Sequence, residues 1–271
     1  MADISVIVCT HNRSESLRRM LESCCALQAT AGLRWELLVV ASACRDDTTR
    51  VANEFASRLP LRLVEEPLPG LSRARNTGAR AAGGTLVAYT DDDVEVEPQW
   101  LEAYAEGMCR YPEAAFFGGK IIPTYEGGRP SWLTDELEYG TLSGVCVSQR
   151  MGEQPRPYLP PHEYPFGANF SVRRSHLIER PFRTDLGVNE RGRLCHEEAD
   201  LLRALMSKGR VGVYLPHAVV RHHTASALLR LPFIVQHGYG CGRSDAIGGA
   251  IDKPAASRWT FWLPNWHMRR L

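Results

Sequence analysis

Apolar residues in this chain come in short runs that follow the two periods separating strands from helices. Residues 4–9 (Ile-Ser-Val-Ile-Val-Cys) form a β-branched run that stops at Thr10, His11, Asn12 and Arg13, which predicts a buried parallel strand. Leu17, Met20, Leu21 and Cys24 then fall at helical spacing, predicting a helix with one apolar face that Ser14 and Glu15 can cap. Residues 35–40 repeat the strand pattern. Residues 46–59 repeat the helical one, with Asp47 or Thr48 near the start and Val51, Phe55 and Leu59 on one face. A third short strand is predicted over 61–65, a small-residue helix over 73–82 closed by Gly83 and Gly84, and a fourth strand over 85–90 that runs into Asp91, Asp92 and Asp93. Alternation of this kind builds a mostly parallel sheet with helices on both faces, an α/β fold.

Past Pro98 the pattern loosens. A helix is predicted over 99–109, a strand over 115–122, another over 168–173, a helix over 197–207 ended by Gly209, and two short strands over 211–215 and 218–222. Between them, residues 123–165 are rich in Gly, Pro and aromatics. A loop region that long inside a compact chain is usually functional or disordered, and Tyr125, Trp132, Tyr139, Tyr158 and Tyr164 argue against disorder. From Ala225 onward the chain reads as helical and then aromatic and basic.

Composition narrows the function classes. The 271 residues suffice for one large domain, and 32 Lys and Arg against 31 Asp and Glu leave a net charge of +1, so no global field favours a nucleic-acid partner. The eight cysteines are scattered without a C-x-x-C pair, which reads as reduced thiols in a cytoplasmic protein. The opening apolar run is too brief for a signal-peptide core and lacks a basic leader, so export is not supported. No apolar run reaches the roughly 18 residues that a membrane-spanning helix needs.

Chemistry concentrates where the fourth strand ends. Three adjacent carboxylates repel one another and are tolerated beside a cation or in open water, and open α/β sheets bind ligands at this edge. A divalent cation, Mn2+ or Mg2+, takes hard oxygen ligands and typically uses one or two carboxylates plus substrate phosphates. A solvated acidic turn or helix cap is the alternative reading. Upstream, residues 70–78 (Gly-Leu-Ser-Arg-Ala-Arg-Asn-Thr-Gly) set small residues between Arg73 and Arg75 at a loop-to-helix transition, a setting suited to phosphate.

With these stretches in order, the chain resembles the family 2 glycosyltransferases of GT-A fold. The matching segments are residues 6–13, residues 70–78, the Asp91 to Asp93 triplet with Pro98 and Trp100 behind it, and residues 197–203 (Glu-Glu-Ala-Asp-Leu-Leu-Arg). The resemblance spans roughly residues 3–225. It implies a nucleoside-diphosphate-sugar donor (UDP-, GDP- or dTDP-linked), a divalent metal, and inversion at the anomeric carbon of a sugar moved to a saccharide or lipid-linked hydroxyl. It divides the chain into a GT-A domain over 1–225, with a donor half (1–98) and an acceptor half (99–225), and a tail over 226–271.

Carried over, the resemblance sets Thr10, Asn12, Arg13, Ser42, Arg75, Asp91 and Asp92 at the donor, Asp93 as the metal ligand, and His222 as a second ligand with His223 as a register alternative. Trp132, Asn169 and Glu197 fall to the acceptor side. The family's Glu-Asp motif, which supplies the catalytic base, is Glu197-Glu198 here, so Glu198 takes the base position and Asp200 is the second choice; an acidic first turn also complements a helix dipole. Where members carry an Asp after the second strand, this chain has Ala41, which cannot accept a hydrogen bond through its side chain. The nucleotide base is therefore open. Interleaved Trp and Arg over 258–271 suit peripheral contact at the cytoplasmic membrane face, against a tail packed on the core, and Pro264 interrupts any long helix there.

Three competing readings stand beside this one. A sugar nucleotidyltransferase shares the architecture but carries a Gly-rich loop after its first strand, where residues 10–14 have no glycine. A phosphatase with an aspartate nucleophile would place it after the first strand. A catalytically degenerate binder of sugar nucleotides stays open through Ala41 and Glu198.

Overall fold

The computed structural model describes residues 2–30, 32–189 and 192–248. Its first half alternates as the apolar periods require: β1 (Ile4–Thr10), α1 (Ser14–Cys24), β2 (Trp35–Ser42), α2 (Thr48–Glu54), β3 (Leu61–Glu66), α3 (Leu71–Ala81) and β4 (Leu86–Asp91). The predicted apolar face of α1 is buried at Leu17, Met20, Leu21 and Cys24. Its start differs from the expectation, because Ser14 lies inside the helix and makes no side-chain cap; instead its backbone N–H donates to the Asp46 carboxylate at 3.3 Å. The second helix is also shorter than its periodicity suggested. It stops at Glu54, yet Phe55 and Leu59 stay buried in the turns that follow, since burial and not helical geometry fixes their spacing.

The second half adds β5 (Val94–Val96), α4 (Trp100–Arg110), β6 (Phe116–Tyr125), α5 (Ser143–Cys146), β7 (Arg156–Pro157), β8 (Asn169–Arg173), α6 (Arg174–Glu179), β9 (Val188–Asn189), β10 (Gly192–Arg193), α7 (Glu197–Ser207), β11 (Gly212–Thr224) and α8 (Leu231–Gly248). The main sheet runs β3-β2-β1-β4-β8-β6-β11-β5, with β7 paired to β11. Strands β3, β2, β1 and β4 are parallel, while β8 is antiparallel to both β4 and β6 and so preserves their common direction. The two strands predicted over 211–215 and 218–222 are one strand, β11, whose register shifts between Leu215 and Val219. That irregularity lets its first part pair with β7 and its last part with β5, which the sequence pattern did not predict.

Strand β1 shows why the fold closes on both faces. Val6 and Val8 point into a core with α1 and α4, including Leu17, Met20, Trp100 and Tyr104, while Ile7 points into a second core with Ala74 and Ala79 of α3 and Leu201, Leu202 and Leu205 of α7. Gly78 lets α3 approach the sheet closely, since a Cβ there would meet the Ile7 side chain at 2.8 Å. The loop-rich stretch is ordered around a small core of its own, formed by Leu133, Val145, Cys146 and Leu229. Among the described residues no helix is long and apolar enough to cross a membrane. The aromatic-basic segment over 258–271 lies outside the described residues.

Candidate active site

The parallel strands place the predicted residues on one edge. Cys9 pairs in register with both Val40 and Asp91, so the ends of β1, β2 and β4 bring Thr10, Ser42 and Asp91 to the same level. Beyond Asp91 the chain turns through Asp92 and Asp93 into β5, which pairs with β11 so that Val94 faces His222, and the His223 N–H donates to the Asp93 carbonyl at 2.9 Å. This pairing brings the buried His222 to the triplet, with Nε2 3.4 Å from Asp93 Oδ1 and Nδ1 3.2 Å from Thr224 Oγ1.

The three aspartates have separate surroundings. Asp92 turns inward and is buried; Arg13 Nη1 donates to it at 2.7 Å, while Arg13 Nη2 donates to Asp93 Oδ2 at 2.8 Å. Burial pushes the Asp92 carboxyl up to about 7, with Arg13 opposing and Asp93 adding to the rise. Asp91 instead faces Arg75, at 3.6 Å. Its carboxyl is also raised, by burial first, against the pull of Arg75 and with the push of Asp93.

Arg75 is the electrostatic centre. It projects from α3 into the protein, buried, beside the rings of Tyr89, Phe170 and Phe182 at 5.9, 5.4 and 5.7 Å from its guanidinium carbon. Nη1 donates to Glu197 Oε1 at 2.5 Å and Nη2 reaches the Gly167 carbonyl at 3.4 Å. Burial works against its charge, but Glu197, Asp91 and Glu198 outweigh that and hold the guanidinium above its usual range. One guanidinium thus faces several carboxylates. The surplus shows at Glu197, which burial and then the neighbouring Glu198 push up to about 7 although Arg75 opposes the rise.

Glu198 is the next residue of α7 and is half-buried. Its Oε1 accepts the Gly167 N–H at 3.1 Å, and no Lys or Arg lies within ion-pairing distance of it among the described residues. Gly167 is the hinge of this arrangement: a Cβ there would meet Arg75 Nη2 at 2.7 Å and Glu198 Oε1 at 3.4 Å. A glycine is what lets the base candidate and the buried arginine share one backbone segment.

The donor set at the triplet suits a hard divalent cation. Asp93 and His222 converge at 3.4 Å, near the roughly 3 Å spacing of neighbouring ligands around an octahedral Mg2+. The surplus of negative charge around Asp91 and Glu197, in an enclosed edge of the sheet, is the environment a cation relieves.

The description "Glycosyl transferase family 2" matches residues 5–179, well over half of the chain. The chain belongs to glycosyltransferase family 2. It is 26% identical over 249 residues to the glucosyl-dolichyl phosphate glucuronosyltransferase of Haloferax volcanii, covering 90% of this chain and 76% of that protein. It is 30% identical over 184 residues to the dodecaprenyl-phosphate galacturonate synthase of Rhizobium johnstonii, covering 66% of this chain and 49% of that protein. In structure it resembles residues 1–349 of S. aureus TarS, with a TM-score of 0.62 at 16% identity over 96% of this chain and 69% of that one, which establishes the GT-A fold.

Within this family 2 glycosyltransferase, several expected site residues are engaged elsewhere. Asn169 was expected at the acceptor, yet it is fully buried and saturated: Trp100 Nε1 and the Tyr104 hydroxyl each donate to its Oδ1 at 2.8 Å, and its amide donates to the Lys120 and Ala218 carbonyls at 3.0 and 2.7 Å. It cross-links β8, α4, β6 and β11 and has nothing left for an acceptor. Glu197, also expected there, is spent on Arg75. Asp200, the second choice for the base position, is held by Arg180 at 2.9 Å and Arg183 at 3.6 Å. Ser42 is buried and turns its hydroxyl to the Leu68 carbonyl at 3.4 Å, and Asn12 accepts the Arg45 N–H at 2.7 Å from a left-handed backbone position. Trp132 is half exposed and free to stack. His223, the register alternative, pairs with Glu95 at 2.6 Å and points away from Asp93. What Gly167 contributes to Arg75 and Glu198 is the absence of a side chain, which residue types and spacing do not show.

Proposed function

We propose that this glycosyltransferase moves a sugar from a nucleoside-diphosphate donor to a hydroxyl by a single displacement with inversion, and that Glu198 is the base. The observation that carries the reading is the place of the Glu198 carboxylate: without a Lys or Arg in ion-pairing distance among the described residues, anchored on the Gly167 N–H at 3.1 Å, and linked through Gly167 to the arginine that faces Asp91. A carboxylate so held accepts the proton of an attacking acceptor hydroxyl. Arg75 keeps Glu197 and Asp91 in position below the reacting centre, and no covalent enzyme intermediate is required.

Asp93 and His222 are the residues that would hold a divalent cation, Mn2+ or Mg2+, which when bound supplies charge neutralisation for the departing diphosphate. Thr10 and Asp91, at the shared strand edge, line the donor side. For the acceptor we propose a hydroxyl of a saccharide carried on a polyprenyl phosphate, with Trp132 available to stack on a sugar. The names of the two relatives support this class, since both refer to a polyprenyl phosphate.

Replacing Glu198 by Gln tests the assignment. Transfer is expected to fall by about 10²–10⁴-fold, the range general-base catalysis supplies, with donor binding retained. Transfer at the wild-type rate by that variant overturns the base. The donor is found by a thermal-shift panel of UDP, GDP, dTDP and CMP with and without Mn2+, where a nucleotide that binds the native state raises the midpoint only in the presence of metal.

A further inference from the structure

Behind the entrance to α7, away from the triplet, lies a cluster of side chains that the transfer reaction does not use. Cys195 ends the loop leading into the helix, and His237 and Cys241 lie on α8 at a spacing of four, so their side chains share one face of that helix. The three ligand atoms all lie within 4.8 Å of one another, and Cys241 Sγ is 3.4 Å from His237 Nε2. Among the described residues this is the group of three metal-ligating side chains whose ligand atoms meet so closely. Next in the chain, His196 lies against Cys241, with its Nδ1 2.8 Å from Asp245 Oδ1.

We propose that Cys195, His237 and Cys241, with His196 as the fourth ligand, form a binding site for a thiophilic divalent cation, Zn2+ by its donor chemistry. Two sulfurs and two imidazoles are the set that tetrahedral Zn2+ takes, and with Zn–S near 2.3 Å and Zn–N near 2.0–2.1 Å its ligand atoms stand roughly 3.5 Å apart. The Cys241–His237 separation already has that value, so closing the three-ligand set asks for movements on the order of 1 Å, while His196, which touches Cys241 but lies outside that set, turns in to complete it. Asp245 on Nδ1 of His196 is the carboxylate–histidine arrangement that leaves the other ring nitrogen for a metal. Both cysteines ligate as thiolates, so binding releases the protons their thiols carry.

The location gives the site a use. Cys195 and His196 lead straight into Glu197 and Glu198, and His196 enters α7 with a left-handed φ of 70°. Helix α8 is already tied to this corner by the Cys195 N–H on Ser244 Oγ at 2.8 Å and by Arg183 on the Ile247 carbonyl at 3.1 Å. A cation here fastens α8 to the start of the helix that carries the base, making these ligands positioning residues for Glu198.

The test uses the full chain, stripped with a chelator and titrated with Co2+ as a spectroscopic stand-in for Zn2+. A thiolate-to-cobalt charge-transfer band is expected in the wild type. It is expected to vanish in Cys195→Ser and Cys241→Ser, to persist in Asp93→Asn, and to need about 10–100-fold more Co2+ in Asp245→Asn, the usual cost of losing a carboxylate behind a ligating histidine. Plasma mass spectrometry of protein purified without chelator is expected to find stoichiometric zinc. Absence of the band in the wild type, its survival in the doubly substituted Cys195→Ser/Cys241→Ser chain, or a Cys195–Cys241 disulfide in the non-reduced protein overturns the site. The band does not depend on transfer, so it reports on this site whether or not Glu198 is the base.

Discussion

Two arginines meet the aspartates of this glycosyltransferase, and they are built for different work. Arg75 has a side chain 3% exposed, walled by three aromatic rings and bound to Glu197, with Asp91 3.6 Å away. Arg13 reaches Asp92 and Asp93 across the end of β1 with a side chain 47% exposed. In the enclosed setting a lost partner leaves a charge that water cannot reach. At Arg13 water and salt reach the cation and screen its pair with Asp93, while the buried Asp92 finds relief in its raised carboxyl. The contrast teaches that Arg75 is fixed architecture under the site, whereas Arg13 is a partner that Asp93 can exchange.

The sharpest way to break the comparison is to remove Arg75. Arg75→Ala strands the buried Glu197, and the stability lost is expected to be about 3–5 kcal/mol, the range for breaking a buried pair from one side. Denaturant unfolding measures it. Adding Glu197→Gln to Arg75→Ala should recover part of the loss, because the second change removes a charge the first left unpaired. A double variant less stable than Arg75→Ala would show that Glu197 has a cationic partner besides Arg75.

A smaller effect is expected from pH. Glu197 has its carboxyl raised to about 7 in the folded protein from an ordinary 4.5, so the folded chain holds that proton more tightly than the unfolded one. The stabilisation this gives is complete below the unfolded value and is lost as pH rises through about 7. Glu197→Gln imitates the protonated form. Its thermal midpoint relative to wild type, measured in chelator, should therefore be highest at alkaline pH and shrink steadily on acidification through about 7. A constant difference across that window would mean that Glu197 stays ionised throughout.

Much of the frame was legible because the first half obeys simple periods: strands buried on both faces show as unbroken apolar runs, and α1 shows its buried face at helical spacing. The Arg75 neighbourhood was partly legible too, since residues 70–78 and 197–203 stand out in the sequence. That Arg75 and Glu197 bind each other was not, because the pairing depends on how α3 and α7 pack across the sheet. Asn169 misled for a related reason: an amide beside a site motif reads as a ligand contact, and only the packing of Trp100 and Tyr104 shows it to be satisfied internally. The continuous β11 was read as two strands because its register shift, set off by Pro216 and His217, breaks the apolar period without ending the strand. The cluster of Cys195, His237 and Cys241 was invisible, since its parts come from separate elements and share no spaced motif.

The smallest expected effect tests the exposed side of the comparison. Arg13→Ala removes a half-exposed cation, and the loss of stability should stay within about 1 kcal/mol, the ordinary worth of such a pair. Asp92 loses its partner in that variant, but its carboxyl is already raised to about 7, so protonation offers it an inexpensive neutral state. Asp93 is freed at the same time, since Arg13 Nη2 no longer occupies Oδ2 on the carboxylate whose Oδ1 faces His222. Mn2+ then has no guanidinium to displace. Its affinity for the nucleotide-free protein, read by electron paramagnetic resonance of the unbound ion, should rise by a few-fold, on the order of the roughly 1 kcal/mol that one exposed pair is worth. Unchanged or weaker Mn2+ binding would mean that Arg13 does not compete for Asp93, and that the exchange drawn here between the two partners does not take place.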